Sequence, residues 1–251
     1  MEQLISLNMY TFLMVFLRFG SALMVMPGFM SSYVNVQIRL SVALSISLVL
    51  MPLITPHLPP QPTDTLLFIQ YSLSEIVIGL FIGLIIQIIF TALNLSGFIA
   101  GQAIGFGNAQ IFDPATQNQS IVVETFFSIV ALTVIFITDL HHLMLSAVID
   151  SYTLLPVTAK LSFGDFADNL SRTFNNSFII GFKIGSPFIA FTIIFYSGIG
   201  LVSRLMPQLN IFFLSLPLQI YLGLGLLFIT TPVMIIWFTK NFEDGLQQFL
   251  H

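Results

Sequence analysis

The sequence predicts an all-α membrane protein with about six long, bent hydrophobic helices. The chain is 56% hydrophobic with a mean hydropathy of +0.97, and only 7% of its residues are charged, against about 25% in soluble domains. Polar residues inside the longest apolar stretch share one helical face. Apolar stretches recur along the whole chain, at residues 4–29, 38–55, 66–104, 121–157, 178–203 and 211–239.

The first apolar stretch, residues 4–29, suits a spanning helix of about 20 residues and exceeds the core of a signal peptide. No positive charge precedes it and no A-x-A-like cleavage site follows it, so we expect this helix to be retained. After the second stretch, residues 52–62 hold five prolines and predict a stiff, non-helical connection.

The third stretch carries a stripe of small and polar residues within an arc of about 120°. Glycines at four-residue spacing let another helix approach closely, and the polar side chains between them need partners or water. Residues 66–100 would extend about 52 Å, so this segment either turns back or projects beyond a hydrocarbon core of about 30 Å. The stripe comprises Ser72, Glu75, Gly79, Gly83, Gln87, Asn94, Gly97 and Gly101.

A polar loop follows the stripe, and Asp113 is the only formal charge between residues 101 and 120. Between residues 105 and 119 the large apolar side chains are Phe106, Ile111 and Phe112. A hydrophobic constriction excludes ions by dewetting, so such side chains can seal a lumen without trapping a passing chain. Asp113–Pro114 predicts a turn, and Gly105 and Gly107 predict flexible hinges at the entry to the loop. The alternative is a surface loop whose apolar residues pack on a neighbour.

The fourth stretch contains a group of possible metal ligands or proton carriers, namely Asp139, His141, His142 and Asp150. Adjacent histidines on a helix point about 100° apart and chelate poorly. A helix break at the membrane surface is therefore the favoured interpretation, and we predict no metal site.

Two short segments separate the last helices. Residues 158–176 predict a short amphipathic piece at an interface, and residues 203–210 predict a tight break before the final helix.

Four charged residues lie in or beside apolar stretches: Arg18, Glu75, Lys183 and Arg204. Such charges pair across helices or mark an ion path, and pairing is favoured here. A proton-coupled transporter needs carboxylates in mid-helix, for which Glu75 and Glu124 are the candidates.

No catalytic or cofactor-binding pattern accompanies these charges. The chain has no cysteine, no G-x-S-x-G elbow, no Walker loop and no dinucleotide fingerprint after a strand. A net charge of −4 provides no polybasic patch for nucleic acid. The sequence therefore predicts neither an enzyme nor a cofactor.

Four stretches carry a resemblance to a known family: RFGSALMVMPGF (18–29), GQAIGFGNAQIFDPATQNQS (101–120), HHLMLSAVIDSYTLLPV (141–157) and PQLNIFFLSLPLQI (207–220). On these residues the chain resembles the FliR family of flagellar biosynthetic proteins, whose relatives include injectisome export proteins. The last stretch, with Pro207, Gln208, Asn210 and Phe212, is the most specific family motif. One departure is Leu140, where many members carry glycine.

The resemblance implies a single FliR-like membrane domain over residues 1–251, arranged as helical hairpins within a hetero-oligomeric export gate. FliP-like and FliQ-like partners would complete the channel, with FlhB-like and FlhA-like components beside it. Unfolded flagellar proteins would be the substrates, and residues 105–119 would form a plug-type loop.

The location implied by the family is the bacterial inner membrane, as a multi-pass protein of the flagellar basal body. Because the chain stops at His251, we expect no fusion to a neighbouring component. The alternative function is a self-contained secondary transporter, which would need an internal inverted repeat with paired broken helices. The sequence contains one broken region, at 101–120, without a convincing mate.

Overall fold

A computed structural model describes residues 2–29, 34–106, 122–159, 162–208 and 211–247. Within these ranges the chain forms seven α-helices and no strand, which confirms the all-α class. Two of the helices, α4 (Val122–Ile137) and α5 (Leu140–Leu154), together occupy the fourth predicted stretch, so the six predicted regions correspond to observed helical segments. The helices are α1 (Glu2–Val25), α2 (Val36–Ile54), α3 (Thr65–Ile104), α4 (Val122–Ile137), α5 (Leu140–Leu154), α6 (Phe163–Leu205) and α7 (Ile211–Gln247).

The proline-rich connection is shorter than predicted. Helix α2 continues through Pro52 to Ile54, and a 3₁₀ turn covers Thr55–His57, so the expected non-helical character fails for residues 52–57. Pro52 lies in the last turn of α2, where its missing N–H removes one hydrogen bond shortly before the helix would end. The Thr55 hydroxyl then donates to the Met51 carbonyl oxygen at 2.7 Å, which satisfies one of the terminal acceptors.

Helix α3 is an unbroken helix of 40 residues, or about 60 Å. It begins where the Asp64 carboxylate accepts a hydrogen bond from the Leu66 amide at 3.1 Å, and it ends at Ile104. A turn back within residues 66–100 is therefore excluded. This length exceeds a hydrocarbon core of about 30 Å, so part of α3 needs protein or water around it.

Helix α6 is also continuous, over 43 residues, so residues 163–176 belong to this long helix and the prediction of a short piece there is wrong. In its first turns the apolar residues recur with the period of a helix, and no proline interrupts the helix before Pro187. At Pro187, which donates no backbone hydrogen bond, the Ser186 hydroxyl donates to the Lys183 carbonyl oxygen at 2.8 Å. The helix thus continues past the proline.

The fourth predicted stretch breaks at Thr138–Asp139, between α4 and α5. Asp139 has a φ of 58°, the left-handed conformation that aspartate adopts more readily than most residues with a Cβ. The favoured interpretation of a helix break at this position is confirmed.

The chain divides into two compact units. The first comprises residues 1–89, 136–174 and 243–251, and its buried core includes Met14, Phe19, Leu23, Ile78 and Val148. The second comprises residues 90–135 and 175–242, and its core includes Leu93, Phe127, Ile184, Phe188 and Phe238.

Among the described residues, four helical segments are long and apolar enough to span a membrane: Val36–His57, Thr65–Ile104, Phe163–Leu205 and Ser215–Gln247. The pair α4 and α5 adds a fifth if it counts as one broken span, and Met9–Val25 is a shorter apolar helix. Large apolar side chains cover the outside of α2, α6 and α7, while α3 is mostly buried. The chain is a multi-pass membrane protein.

Candidate functional site

A buried ion pair joins α1 to the first half of α3. The Arg18 Nε donates to Glu75 Oε2, and Arg18 Nη2 donates to Glu75 Oε1 at 3.2 Å. Both side chains are fully buried. This is a bidentate contact, in which the planar guanidinium matches the planar carboxylate. The expectation that buried charges pair across helices is confirmed for these two residues.

Helix α5 and the residues that follow it complete the surroundings of Arg18. Arg18 Nη1 donates to Ser151 Oγ at 3.1 Å, and Nη2 also donates to the Leu155 carbonyl oxygen at 3.1 Å. The Tyr152 ring lies 3.8 Å from the guanidinium carbon, a cation–π distance. Three helices of the first unit therefore converge on one cation. Because these protein groups engage the cation so fully, the cluster is suited to holding helices together rather than to moving protons.

The first stripe glycines bring α3 against α1 beside this ion pair. A Cβ atom at Gly79 would overlap Ser21 Oγ and the carbonyl oxygen of Arg18. A Cβ atom at Gly83 would lie 2.7 Å from the carbonyl oxygen of Ala22. Since backbone atoms cannot move aside as a flexible side chain can, these two positions require glycine for the observed helix contact.

The second half of the stripe faces a different neighbour, α4. A Cβ atom at Gly97 would lie 3.0 Å from Glu124 Cα and from Phe127 Cδ2. One turn earlier along α3, the Asn94 Oδ1 accepts a hydrogen bond from the Ser128 hydroxyl at 2.7 Å. Helices α3 and α4 thus pack closely and are joined by a hydrogen bond between two uncharged side chains.

Glycines of α6 and α7 also approach this half of α3. A Cβ atom at Gly181 of α6 would lie 2.7 Å from the Ala92 carbonyl oxygen, and one at Gly223 of α7 would lie 2.8 Å from Ile104 Cγ1. Three neighbouring helices therefore approach the second half of α3 through glycine contacts.

The end of α3 is held by Gln219 of α7, a residue that the sequence analysis did not select. Gln219 is 2% exposed, and its Nε2 donates to the Ala103 carbonyl oxygen at 2.8 Å and to Tyr196 Oη at 3.4 Å. Gly105 follows with a φ of 94°, and a Cβ atom there would lie 3.2 Å from Gln219 Cδ. The sequence does carry a signal for the role of Gln219. It is a lone glutamine in an apolar helix, and its side-chain amide needs a hydrogen-bond partner.

The remaining predicted residues are distributed as follows. Gly101 is buried in α3, and Gln87 is half-buried with an Oε1 that accepts no hydrogen bond among the described residues. Phe106 is half-buried at the start of the loop. Of the motif residues, Pro207 and Gln208 are exposed after α6 and Phe212 lies in α7. Six predicted positions lie outside the described residues: Gly107, Ile111, Phe112, Asp113, Pro114 and Asn210.

The histidine group, defined here as Asp139, His141 and His142, lies at the start of α5. One ligand atom from each of Asp139, His141 and His142 lies within 4.8 Å of the others. The two imidazole rings stand 4.1 Å apart, and His142 Nδ1 is 3.6 Å from Asp139 Oδ1. Asp139 and His142 are mostly exposed, as expected for charged residues at a helix break. The absence of a metal site stays a prediction.

Comparisons with known proteins find similar sequences over almost the whole chain. The model of the family described as "Bacterial export proteins, family 1" matches residues 9–245. The chain is 34% identical over 242 residues to the flagellar biosynthetic protein FliR of Caulobacter vibrioides, covering 96% of each chain. It is 28% identical over 240 residues to the FliR protein of Aquifex aeolicus, covering 95% of this chain and 92% of that one. To the FliR protein of Bacillus subtilis it is 30% identical over 172 residues.

Proposed function

Because the chain belongs to family 1 of the bacterial export proteins, we propose that it is a subunit of the flagellar type III export gate. With FliP-like and FliQ-like chains it would form the channel through which unfolded flagellar proteins cross the inner membrane. Family membership gives the chain a role in flagellar export, as an export-apparatus component and not an enzyme. The channel and its named partners are the part that we propose.

The observation that carries the proposal is the way both flanks of the loop between α3 and α4 are held. On the entry side, Gln219 bonds to Ala103 beside the left-handed Gly105. On the exit side, α4 packs on Gly97 and bonds through Ser128 to Asn94. The helix ends on both sides of residues 107–121 are thus fixed by contacts outside those residues, as a plug function requires.

The composition of this loop supports a plug function. Residues 107–121 contain one formal charge, Asp113, together with the apolar Ile111 and Phe112. Apolar side chains in a narrow lumen block ions by excluding water, and they leave no fixed charge to retain an unfolded polypeptide. The hinge glycines Gly105 and Gly107 flank Phe106, which is the first large apolar residue of the loop.

The proposed surroundings follow from the same argument. Long helices with large exposed apolar faces are covered by lipid or by other subunits, and a 40-residue α3 is longer than a bilayer requires. We propose that other subunits of the gate cover part of these faces, with FlhB-like and FlhA-like components adjacent. The corresponding location is the inner membrane at the flagellar basal body.

Co-purification tests this proposal. The tagged full chain, extracted in mild detergent from cells that assemble flagella, is expected to bring down FliP-like and FliQ-like chains in fixed ratio. Recovery of the wild-type chain alone, or as a homo-oligomer, would contradict the gate proposal and favour a self-contained transporter.

A further inference from the structure

A groove of about 330 Å³ lies between α6 and α7 in the second unit. Its floor is formed by Ile184 and Met234, which are both 3% exposed. Its walls include Pro187 and Val233, and Lys183 also lines it. A volume near 300 Å³ is at the lower end of the range for small-molecule sites, and the lining is almost wholly apolar. The groove is thus suited to a slender apolar chain.

Of the described residues that line this groove, Lys183 alone is charged, and it is exposed. Across the described ranges its ammonium group enters no ion pair, so the groove presents an uncompensated positive charge beside an apolar surface. The hydroxyl of Thr230 is engaged with the Leu226 carbonyl oxygen at 2.9 Å. The charge on Lys183 is therefore available to a ligand with an anionic group.

Trp237, the single tryptophan of the chain, also lines the groove and is 45% exposed. Only residues 206–210 connect α6 to α7, so the two helices form an antiparallel hairpin. Lys183 and Trp237 lie at similar distances from that turn along their two helices. A lysine beside a tryptophan is typical of the level of the lipid headgroups.

From these observations we propose that the groove binds an anionic glycerophospholipid. The phosphate pairs with the Lys183 ammonium group beside Trp237, and one acyl chain follows the groove past Pro187 and Val233. A zwitterionic lipid offers the same acyl chain without the net negative charge, so it binds more weakly. This site is distinct from the loop-bearing end of α3 and does not depend on the proposed channel.

The single tryptophan provides a direct test. The purified full chain is titrated with phosphatidylglycerol brominated in its acyl chains, and quenching of Trp237 fluorescence is followed. Brominated phosphatidylcholine is the lipid control, and Lys240→Gln is the matched variant, since Lys240 is an exposed lysine on α7 outside the groove. We expect saturable quenching by phosphatidylglycerol in the wild type and in Lys240→Gln, with about fivefold weaker binding in Lys183→Gln.

A second variant, Val233→Phe, fills the groove while leaving Lys183 in place, and it should also weaken quenching by phosphatidylglycerol. Circular dichroism of each variant verifies that the helices are retained. Identical titrations for Lys183→Gln and Lys240→Gln, or equal quenching by the two lipids, would overturn the proposal. Absence of saturable quenching in the wild type would overturn it as well, and would indicate that another polypeptide covers this face.

Discussion

The two halves of α3 are held by different chemistry, although both carry the same glycine stripe. The first half packs on α1 beside the fully buried Arg18–Glu75 pair, which Ser151 and Tyr152 enclose. The second half packs on its neighbours through glycines and joins them by neutral hydrogen bonds, of which Asn94–Ser128 and Gln219–Ala103 are examples.

This difference indicates which half is suited to change. Separating a buried ion pair leaves charges without water, at a cost of about 3–5 kcal/mol when one partner is removed. A neutral hydrogen bond contributes about 0.5–1.5 kcal/mol. The half of α3 that precedes the polar loop is therefore the one whose polar contacts can be exchanged at low cost.

The largest effect is expected from breaking the ion pair. Arg18→Met leaves Glu75 buried without its partner and should destabilise the protein by about 3–5 kcal/mol, seen as a lower midpoint of thermal unfolding in detergent. The double variant Arg18→Met/Glu75→Leu should recover most of that loss. Arg172→Met is the control, because Arg172 pairs with Asp168 at 2.9 Å on an exposed surface. Equal midpoints for Arg18→Met and Arg172→Met would refute the structural role of the pair.

Alanine at the stripe glycines should give a graded series. Gly79→Ala meets backbone atoms of α1, so we expect poor folding, with a cost of about 1–3 kcal/mol or more. Gly97→Ala meets atoms at 3.0 Å and should cost less, while Gly198→Ala should be neutral or stabilising because it only removes backbone freedom. The three variants are compared by the yield of monodisperse protein after purification. An inverted order would show that α3 does not pack as described.

A smaller and local effect is expected at the end of α3. Gln219→Met removes the donor to Ala103 and should cost about 1 kcal/mol, with faster amide hydrogen exchange in residues 100–106. Gln247→Met is the control, since Gln247 is exposed and bonds to Glu243 of its own helix at 3.3 Å. Unchanged exchange in Gln219→Met would mean that Gln219 does not hold this end.

The smallest effect is expected at the histidine group. Because Asp139 and His142 are mostly exposed, replacing Asp139, His141 and His142 together by alanine should leave substantial export, measured as swimming motility. Elemental analysis of the wild-type protein should find no bound metal. A stoichiometric metal ion, with loss of export in the triple variant, would establish a metal site instead.

The helical segments and the packing face of α3 could be predicted from the sequence, because burial imposes a periodic pattern on each helix. The helical wheel placed Gly79 and Gly97 on one face of α3, but it carries no information about what that face contacts. In the structure one glycine meets α1 and the other meets α4. The partner of Arg18 was likewise hidden, because Glu75 is 57 residues away and the pairing depends on how three helices pack.

Local errors in the sequence analysis have a common cause. Interruptions are predicted at Pro52 and at the amphipathic residues 158–176, although a proline near a helix end and a polar first turn are both compatible with a helix. Gln219 lies within the family stretch 207–220, but it is not singled out there because it stands alone among apolar residues. Its role depends on the end of α3, which lies more than 100 residues away in the sequence.

Ion conductance tests the central claim most directly, namely that the loop after α3 seals a channel. The deletion of Ile111–Thr116 is compared with the wild type and with a Gly/Ser replacement of equal length, in cells where co-purification verifies a complete complex. We predict an assembled complex that leaks small ions in both variants, since each removes the apolar Ile111 and Phe112. Wild-type conductance in a fully assembled deletion complex would contradict the account.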